Sequence, residues 1–162
     1  MAAIPNRSGS VEILTGAGFT QTAVIQRLFF STFSARVLPM SHIVQIQTQV
    51  RDAEGVRAAC RRLRLAEPVA GTTKLFSSEA TGLAVQLPGW KYPLVCQLDT
   101  GQVQFDNFNG RWGDPEKLGL LLQMYAVEKA KIEARRRGHS VTEQQLQDGS
   151  IKLTIGVTGG AV

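Results

Sequence analysis

The residues that could carry chemistry are two cysteines, two histidines, two runs of arginines and one aromatic stretch. Cys60 and Cys96 each fall on an apolar face of their local pattern. A nucleophile would need an activated thiolate beside a base, and nothing local supplies one. Both read as small buried hydrophobes. There is no CxxC spacing to hold zinc and no cysteine framework for disulfides. His42 and His139 have no cysteine or acid at metal-ligand spacing. They could approach one another if the first and penultimate strands pair. Gly71-Thr72-Thr73-Lys74 lacks the full GxxxxGK[ST] of a phosphate loop. Asp106 and Asp114 show no acid–base spacing, and Asp114 and Asp148 are explained by a helix cap and a turn. No catalytic residue, cofactor or metal is expected, and the reading leans away from an enzyme. An enzyme site assembled only by tertiary contacts stays open as a third possibility.

Two constellations could bind. Arg57, Arg61 and Arg64 lie on one side of an amphipathic segment, with Arg62 nearby, and Arg135, Arg136 and Arg137 end another. Such clusters can contact a phosphate backbone. Asp52, Glu54 and Glu67 temper the first cluster, which also reads as a solvated helix face. Helix-dipole complementation accounts for the second. The other constellation is aromatic: Trp90, Tyr92, Phe105, Phe108 and Trp112 fall in one hairpin and its flanks. Tyr92 and Phe105 share strand faces with aliphatics and are assigned to the core. Trp90 and Trp112 sit beside glycines in loops, with Lys91 and Arg111 adjacent, and are expected to face a partner. The first reading is a binding or adaptor domain whose protein partner meets Trp90, Lys91, Arg111 and Trp112. The alternative is a nucleic-acid-associated domain using the arginines.

The whole chain has 162 residues, with 18 basic and 13 acidic side chains. The resulting +5 permits an acidic partner without requiring one. Hydrophobic residues make up 43%, which excludes wholesale disorder. No run approaches the ~18 apolar residues of a membrane-spanning helix. Residues 1–39 differ from the rest: they hold Arg7, Arg27 and Arg36 against one acid, Glu12, and are rich in Ser and Thr. They are expected to be a poorly ordered extension, either targeting-like or upstream of the true start at Met40. The expected location is cytoplasmic, or an organelle if that segment is a transit peptide. Residues 40–157 form a single domain, and 158–162 fray.

The elements that must position these groups follow from periodicity. Residues 41–50 alternate, with Val44, Ile46 and Val50 on one face and Gln45, Gln47 and Gln49 on the other, which predicts a strand. Asp52 caps a helix over about 53–65 with Val56, Ala59, Cys60 and Leu63 on its inner face. Strands are expected over 72–76, around Leu83–Leu87 and through Tyr92–Leu98. A turn at Asp99-Thr100-Gly101 leads to a partner strand over 102–108. Asp114-Pro115-Glu116 starts the clearest helix. Leu118, Leu121, Leu122, Tyr125 and Ile132 mark its buried stripe, and Gly138 ends it. Asp148-Gly149 turns a last hairpin into Ile151, Leu153, Ile155 and Val157. The order β-α-β-β-β-β-α-β-β predicts an α+β fold: a two-layer sandwich with a mainly antiparallel sheet and both helices on one face.

Met40-Ser41-His42, Ile46, Thr48 and Asp52, then Tyr125-Ala126, Gly138, Val141, Glu143 and the run from Asp148 to Leu153, carry a resemblance. Over roughly residues 40–155 the chain resembles the hypothetical chloroplast reading frame thirty-five family, a domain of unknown function in plastids and cyanobacteria with other bacterial relatives. The likeness is strong at both ends and weak between Trp90 and Trp112. It implies a functional start at Met40, and brings no activity, cofactor or catalytic residue.

Overall fold

In the computed structural model the described residues are 20–25, 43–47 and 49–156. The fold is α+β, as the element order predicts. Its elements are β1 (Thr20–Ile25), β2 (Ile43–Gln47), α1 (Ala53–Arg62), β3 (Val69–Lys74), β4 (Glu79–Val85), β5 (Leu94–Gln97), β6 (Gln102–Asp106), α2 (Pro115–Arg136), β7 (Ser140–Gln145) and β8 (Ile151–Gly156). The strands divide between two antiparallel sheets. One has the order β2-β6-β5-β4-β3 and the other β1-β8-β7. Strand β1 lies inside the segment expected to be a poorly ordered extension, and it pairs with β8 from Thr20↔Gly156 to Ile25↔Ile151. The remainder of residues 1–39 and the tail 158–162 lie outside the described residues.

Period-two patterning gives the larger sheet two unlike faces. Leu83, Val85, Leu94, Cys96, Val103 and Phe105 point into a core shared with Val56, Ala59 and Cys60 of α1. Register places Gln104, Val95, Ala84 and Val69 in one row across the opposite face. There Leu75, Ala80 and Val95 form a smaller apolar cluster with Ala84 and Tyr92.

Asp52 Oδ1 accepts the Glu54 and Gly55 amides and so caps α1. Asp114 Oδ1 accepts the Glu116 amide at 2.9 Å, and Pro115 opens α2. At the far end Gly138, with φ of 76°, lets the His139 amide return to the Ala134 carbonyl at 2.9 Å. Helix α2 is buried at five successive positions, Leu121 to Tyr125. Successive burial requires cover on more than one side. Ile151 and Leu153 of β8 supply part of it, in the same core as the larger sheet. Ile132, placed in the buried stripe from the sequence, is only half-buried. The last hairpin is wider than a two-residue turn. Leu146 N–H bonds Ser150 O, Gly149 N–H bonds Leu146 O, and Gly149 has φ of 80°. That is a three-residue loop ending in a left-handed glycine.

Two polar devices join the layers. The Tyr125 hydroxyl accepts the amides of Arg51 and Asp52 at 3.1 and 3.2 Å and donates to the Gln49 carbonyl at 3.2 Å. It thereby holds the chain entering α1. Gly55 permits this, because a β-carbon there would stand 3.0 Å from the Tyr125 ring. The second device is a four-charge network. Arg62 binds both oxygens of Glu143 and reaches Glu128 at 2.9 Å, while Lys131 reaches Glu128 at 3.1 Å and Glu143 at 3.2 Å. It links α1, α2 and β7.

The Arg62 hydrogen bonds, with Lys131 behind them, hold the Glu143 carboxyl down at about 2. Its unfolded value is near ~4.3. A depressed carboxyl contributes stability that is complete above the unfolded value and lost as pH falls through the folded one. Glu143→Gln is therefore expected to cost about 1 kcal/mol at neutral pH, the partial exposure of the network keeping the figure small. Urea unfolding at a series of pH values should show the gap between the two proteins closing from about pH 4.5 down to about pH 2. A gap that does not change with pH would contradict the assignment.

Candidate partner-binding surface

The candidate site is built around two tryptophans with different fates. Trp90 follows a turn in which Gly89 has φ of 77° and the Trp90 amide returns to Leu87 O at 3.1 Å. Its indole is 5% exposed and meets Phe105 edge-on with centroids 5.5 Å apart. The indole N–H donates to the Asp114 carbonyl at 3.2 Å, and the Trp90 carbonyl accepts the Gln86 amide at 2.7 Å. The expectation that Trp90 faces a partner is therefore corrected: it is a core residue. Gly113 is the cause. A β-carbon at 113 would overlap the indole ring, so the glycine lets the following loop close flat over Trp90.

That closure places Trp112 on the outside. The Lys91 amide donates to Trp112 O at 2.8 Å, and the Trp112 amide donates to Asn107 O at 2.9 Å. Between them Phe108, Asn109 and Gly110 have φ of 44°, 55° and 86°. Two non-glycine residues in the left-handed region cost on the order of 1–3 kcal/mol each, so the surrounding contacts must hold them. Asp106, fully buried, helps: its Oδ1 accepts the Phe108 amide at 3.2 Å. Its Oδ2 has no hydrogen-bond partner among the described residues.

The result is a cluster of four rings. Phe108 stacks on Trp112 with centroids 4.8 Å apart and planes 24° from parallel. Phe76 lies 4.9 Å and Tyr92 5.6 Å from the same indole. Lys91 Nζ stands 4.6 Å from the Trp112 ring centroid, and Arg111 Cζ stands 5.3 Å from that of Phe108. These are cation–π distances. Among the described residues neither cation has an ion pair. Phe76 is 51% exposed, and Trp112, Tyr92 and Phe108 are half-buried. Lys91, Arg111 and Trp112 thus come together as a surface, while Trp90 lies beneath it. Phe76 was missed because its segment reads as the end of a strand. It sits instead in the β3–β4 turn, where the Leu75 amide bonds Ser78 O at 2.8 Å.

The arginines are more dispersed. Arg57 pairs with Glu67 at 3.5 Å, Arg137 with Glu133 at 2.9 Å, and Arg136 with Glu54. Arg61, Arg64 and Arg135 are exposed without an ion pair among the described residues. The Arg136–Glu54 pair sets the second cluster beside the start of α1, whereas Arg61 and Arg64 lie at its end, about 10 Å of helix away.

Burial pushes the Cys60 thiol up to about 11, helped by Glu67, and the Cys96 thiol up to about 12. Both stay protonated and unreactive at neutral pH. His42 lies outside the described residues. Among the described residues the strand pairing that would bring the histidines together is not found: β2 pairs with β6 and β7 with β8. Among the described residues no three His, Cys, Asp or Glu side chains are grouped to hold a metal, and no helix is long and apolar enough to cross a membrane.

Gly113→Ala is expected to destabilise the fold by roughly 1–3 kcal/mol, because the indole has nowhere to retreat in a packed core. Chemical unfolding monitored by tryptophan emission checks this. A variant as stable as the parent would contradict the close packing of Gly113 on Trp90.

Comparison of the chain with protein-family models, with curated proteins and with solved structures finds no match.

Proposed function

We propose that this chain is a non-enzymatic binding domain that holds a protein partner on the surface formed by Phe76, Tyr92, Phe108 and Trp112. The observation that carries the reading is the ring cluster itself: Trp112, half-buried, is contacted by three rings and capped by Lys91, with Phe76 half-exposed beside it. Aromatic side chains held rigid at the surface give contact area at low entropic cost, and Trp, Tyr and Arg dominate interface energetics. Lys91 and Arg111 add positive charge that no carboxylate among the described residues answers. The chemistry suits a partner segment that presents an apolar side chain flanked by acidic residues.

Single-stranded nucleic acid could also stack on such rings, and the arginines would extend its path. The carboxylates interleaved with them at Glu54, Glu67 and Glu133 weigh against that reading. The likeness to the chloroplast reading frame thirty-five family is compatible with either, since it carries no activity.

The full chain should retain a stoichiometric protein from its own cell extract, and nuclease treatment should leave that protein in place. Trp112→Ala should weaken retention by about 30-fold or more, the range of a central interface residue. The exposed substitution Arg135→Ala should leave it unchanged. Loss of the bound material on nuclease treatment, or steep weakening with salt, would transfer the function to the arginines and overturn the proposal.

A further inference from the structure

Strand β4 joins the rest of the larger sheet only at its far end. It pairs with β5 from Leu83↔Cys96 to Val85↔Leu94, and with β3 from Val69↔Ala84 to Lys74↔Glu79. The tip of this hairpin, residues 72–81, therefore has no neighbour on the β5 side. Val69, Ala84 and Val95 lie in one row. In a flat sheet Leu75, six residues on from Val69, would stand about 20 Å beyond that row. Leu75 and Ala80 instead share an apolar cluster with Val95. The tip is folded back over the outer face of the sheet.

The corner is a pair of glycines. Gly71 stands opposite Gly82. Gly71 has φ of 146°, which residues with a side chain rarely adopt. A β-carbon at 82 would overlap the Cys96 carbonyl oxygen. Glycines within strands mark such bends and close approaches. Past the corner the tip is bonded to itself: the Thr72 and Thr81 hydroxyls are 2.8 Å apart, and the Leu75 amide bonds Ser78 O at 2.8 Å. Among the described residues no hydrogen bond or ion pair joins residues 72–81 to any residue outside the hairpin. The seal is apolar alone. Leu75 and Ala80 pack on Val95, and Phe76 meets Tyr92 and Trp112 at 6.2 and 4.9 Å between centroids. A segment held by so few contacts opens at much lower cost than the whole fold.

The floor beneath it is fixed by contrast. Trp112 is pinned by its backbone bonds to Lys91 and Asn107. At 4.9 Å the Phe76 and Trp112 rings already touch, so a side chain enters between them only if Phe76 lifts. We propose that residues 72–81 are a flap that turns on the Gly71–Gly82 pair, rises to admit the partner's apolar side chain between Phe76 and Trp112, and closes over it. The inference rests on the binding reading above and takes the same partner, a segment with an apolar side chain flanked by acidic residues.

Thiol labelling of the purified full chain with N-ethylmaleimide tests the flap without any partner. Ala80→Cys puts a thiol into the buried seal with little change of volume, and Ser77→Cys puts one on the exposed tip as a reference. A thermal melt confirms that both variants keep the fold. Position 80 should react roughly 10- to 1,000-fold more slowly than position 77, the ratio set by a flap open about 0.1–10% of the time. Cys60 and Cys96, buried in the main core, should stay unreacted over the same period. The labelled Ala80→Cys chain, its flap propped open, should retain the partner from its own cell extract about tenfold less well than the same chain before labelling. Reaction at position 80 only in step with Cys60 and Cys96 would overturn the proposal, and so would a labelled chain that retains the partner undiminished. An unlabelled chain that retains no protein at all would overturn the binding reading and the flap's role in it, while the hinge stands or falls by the labelling rates.

Discussion

The surface of this protein depends on the packing of one indole against one glycine. Trp90 is covered by Gly113, tied to Asp114 through its ring N–H and set edge-on to Phe105. Those contacts fix both sides of the loop from Asn107 to Asp114. Once the loop is closed, the chain passes Phe108 and Asn109 through the left-handed region, and the stacked rings of Phe108 and Trp112 are left on the outside, half-buried. Phe76 and Tyr92 arrive from other elements to meet Trp112. The exposed cluster is thus a consequence of how the core beneath it is sealed. The loop is held by three backbone bonds, Lys91 N–H to Trp112 O, Trp112 N–H to Asn107 O and Arg111 N–H to Phe108 O, and by a buried carboxylate, so its rings are ordered before anything binds.

The rest of the fold keeps that seal under load. Helix α2 is capped by Asp114, the residue whose carbonyl accepts the Trp90 N–H, and it runs through a core built from both sheets. Tyr125 fastens it to the entry of α1, and the Arg62, Glu128, Lys131 and Glu143 network fastens it to the end of α1 and to β7. The charged groups are spent on this internal joining. Of the arginines that suggest a phosphate contact, Arg57, Arg136 and Arg137 answer carboxylates of the same chain. Lys91 and Arg111 lie instead over rings, where their charge faces outward.

Much of this was legible in the sequence. The caps at Asp52 and Asp114, the glycine ends at Gly101 and Gly138, and the alternation of β5, β6 and β8 are local signals with local causes. The division into two sheets was not legible, because alternation says which face a side chain takes and not which strand lies beside it. Glu143 illustrates the same limit, for its two partners, Arg62 and Lys131, come from α1 and α2. The aromatic surface was half legible: residue type and flanking cations pointed to Trp112, Lys91 and Arg111. The same reasoning misplaced Trp90, since a neighbouring glycine can signal a loop or a close approach. Here Gly113 meant close approach. Phe76 carried no signal beyond its hydrophobicity, and only the β3–β4 turn brings it to Trp112.

The central claim is that the ring cluster is covered by a partner in the cell while Trp90 is covered by the protein itself. Oxidative footprinting of the full chain, purified and in its native extract, reads both at once. The account predicts that Trp112 and Phe76 react readily in the purified chain and become protected in extract, with Trp90 unreactive in both. Equal reactivity of Trp112 and Phe76 in the two settings would contradict it.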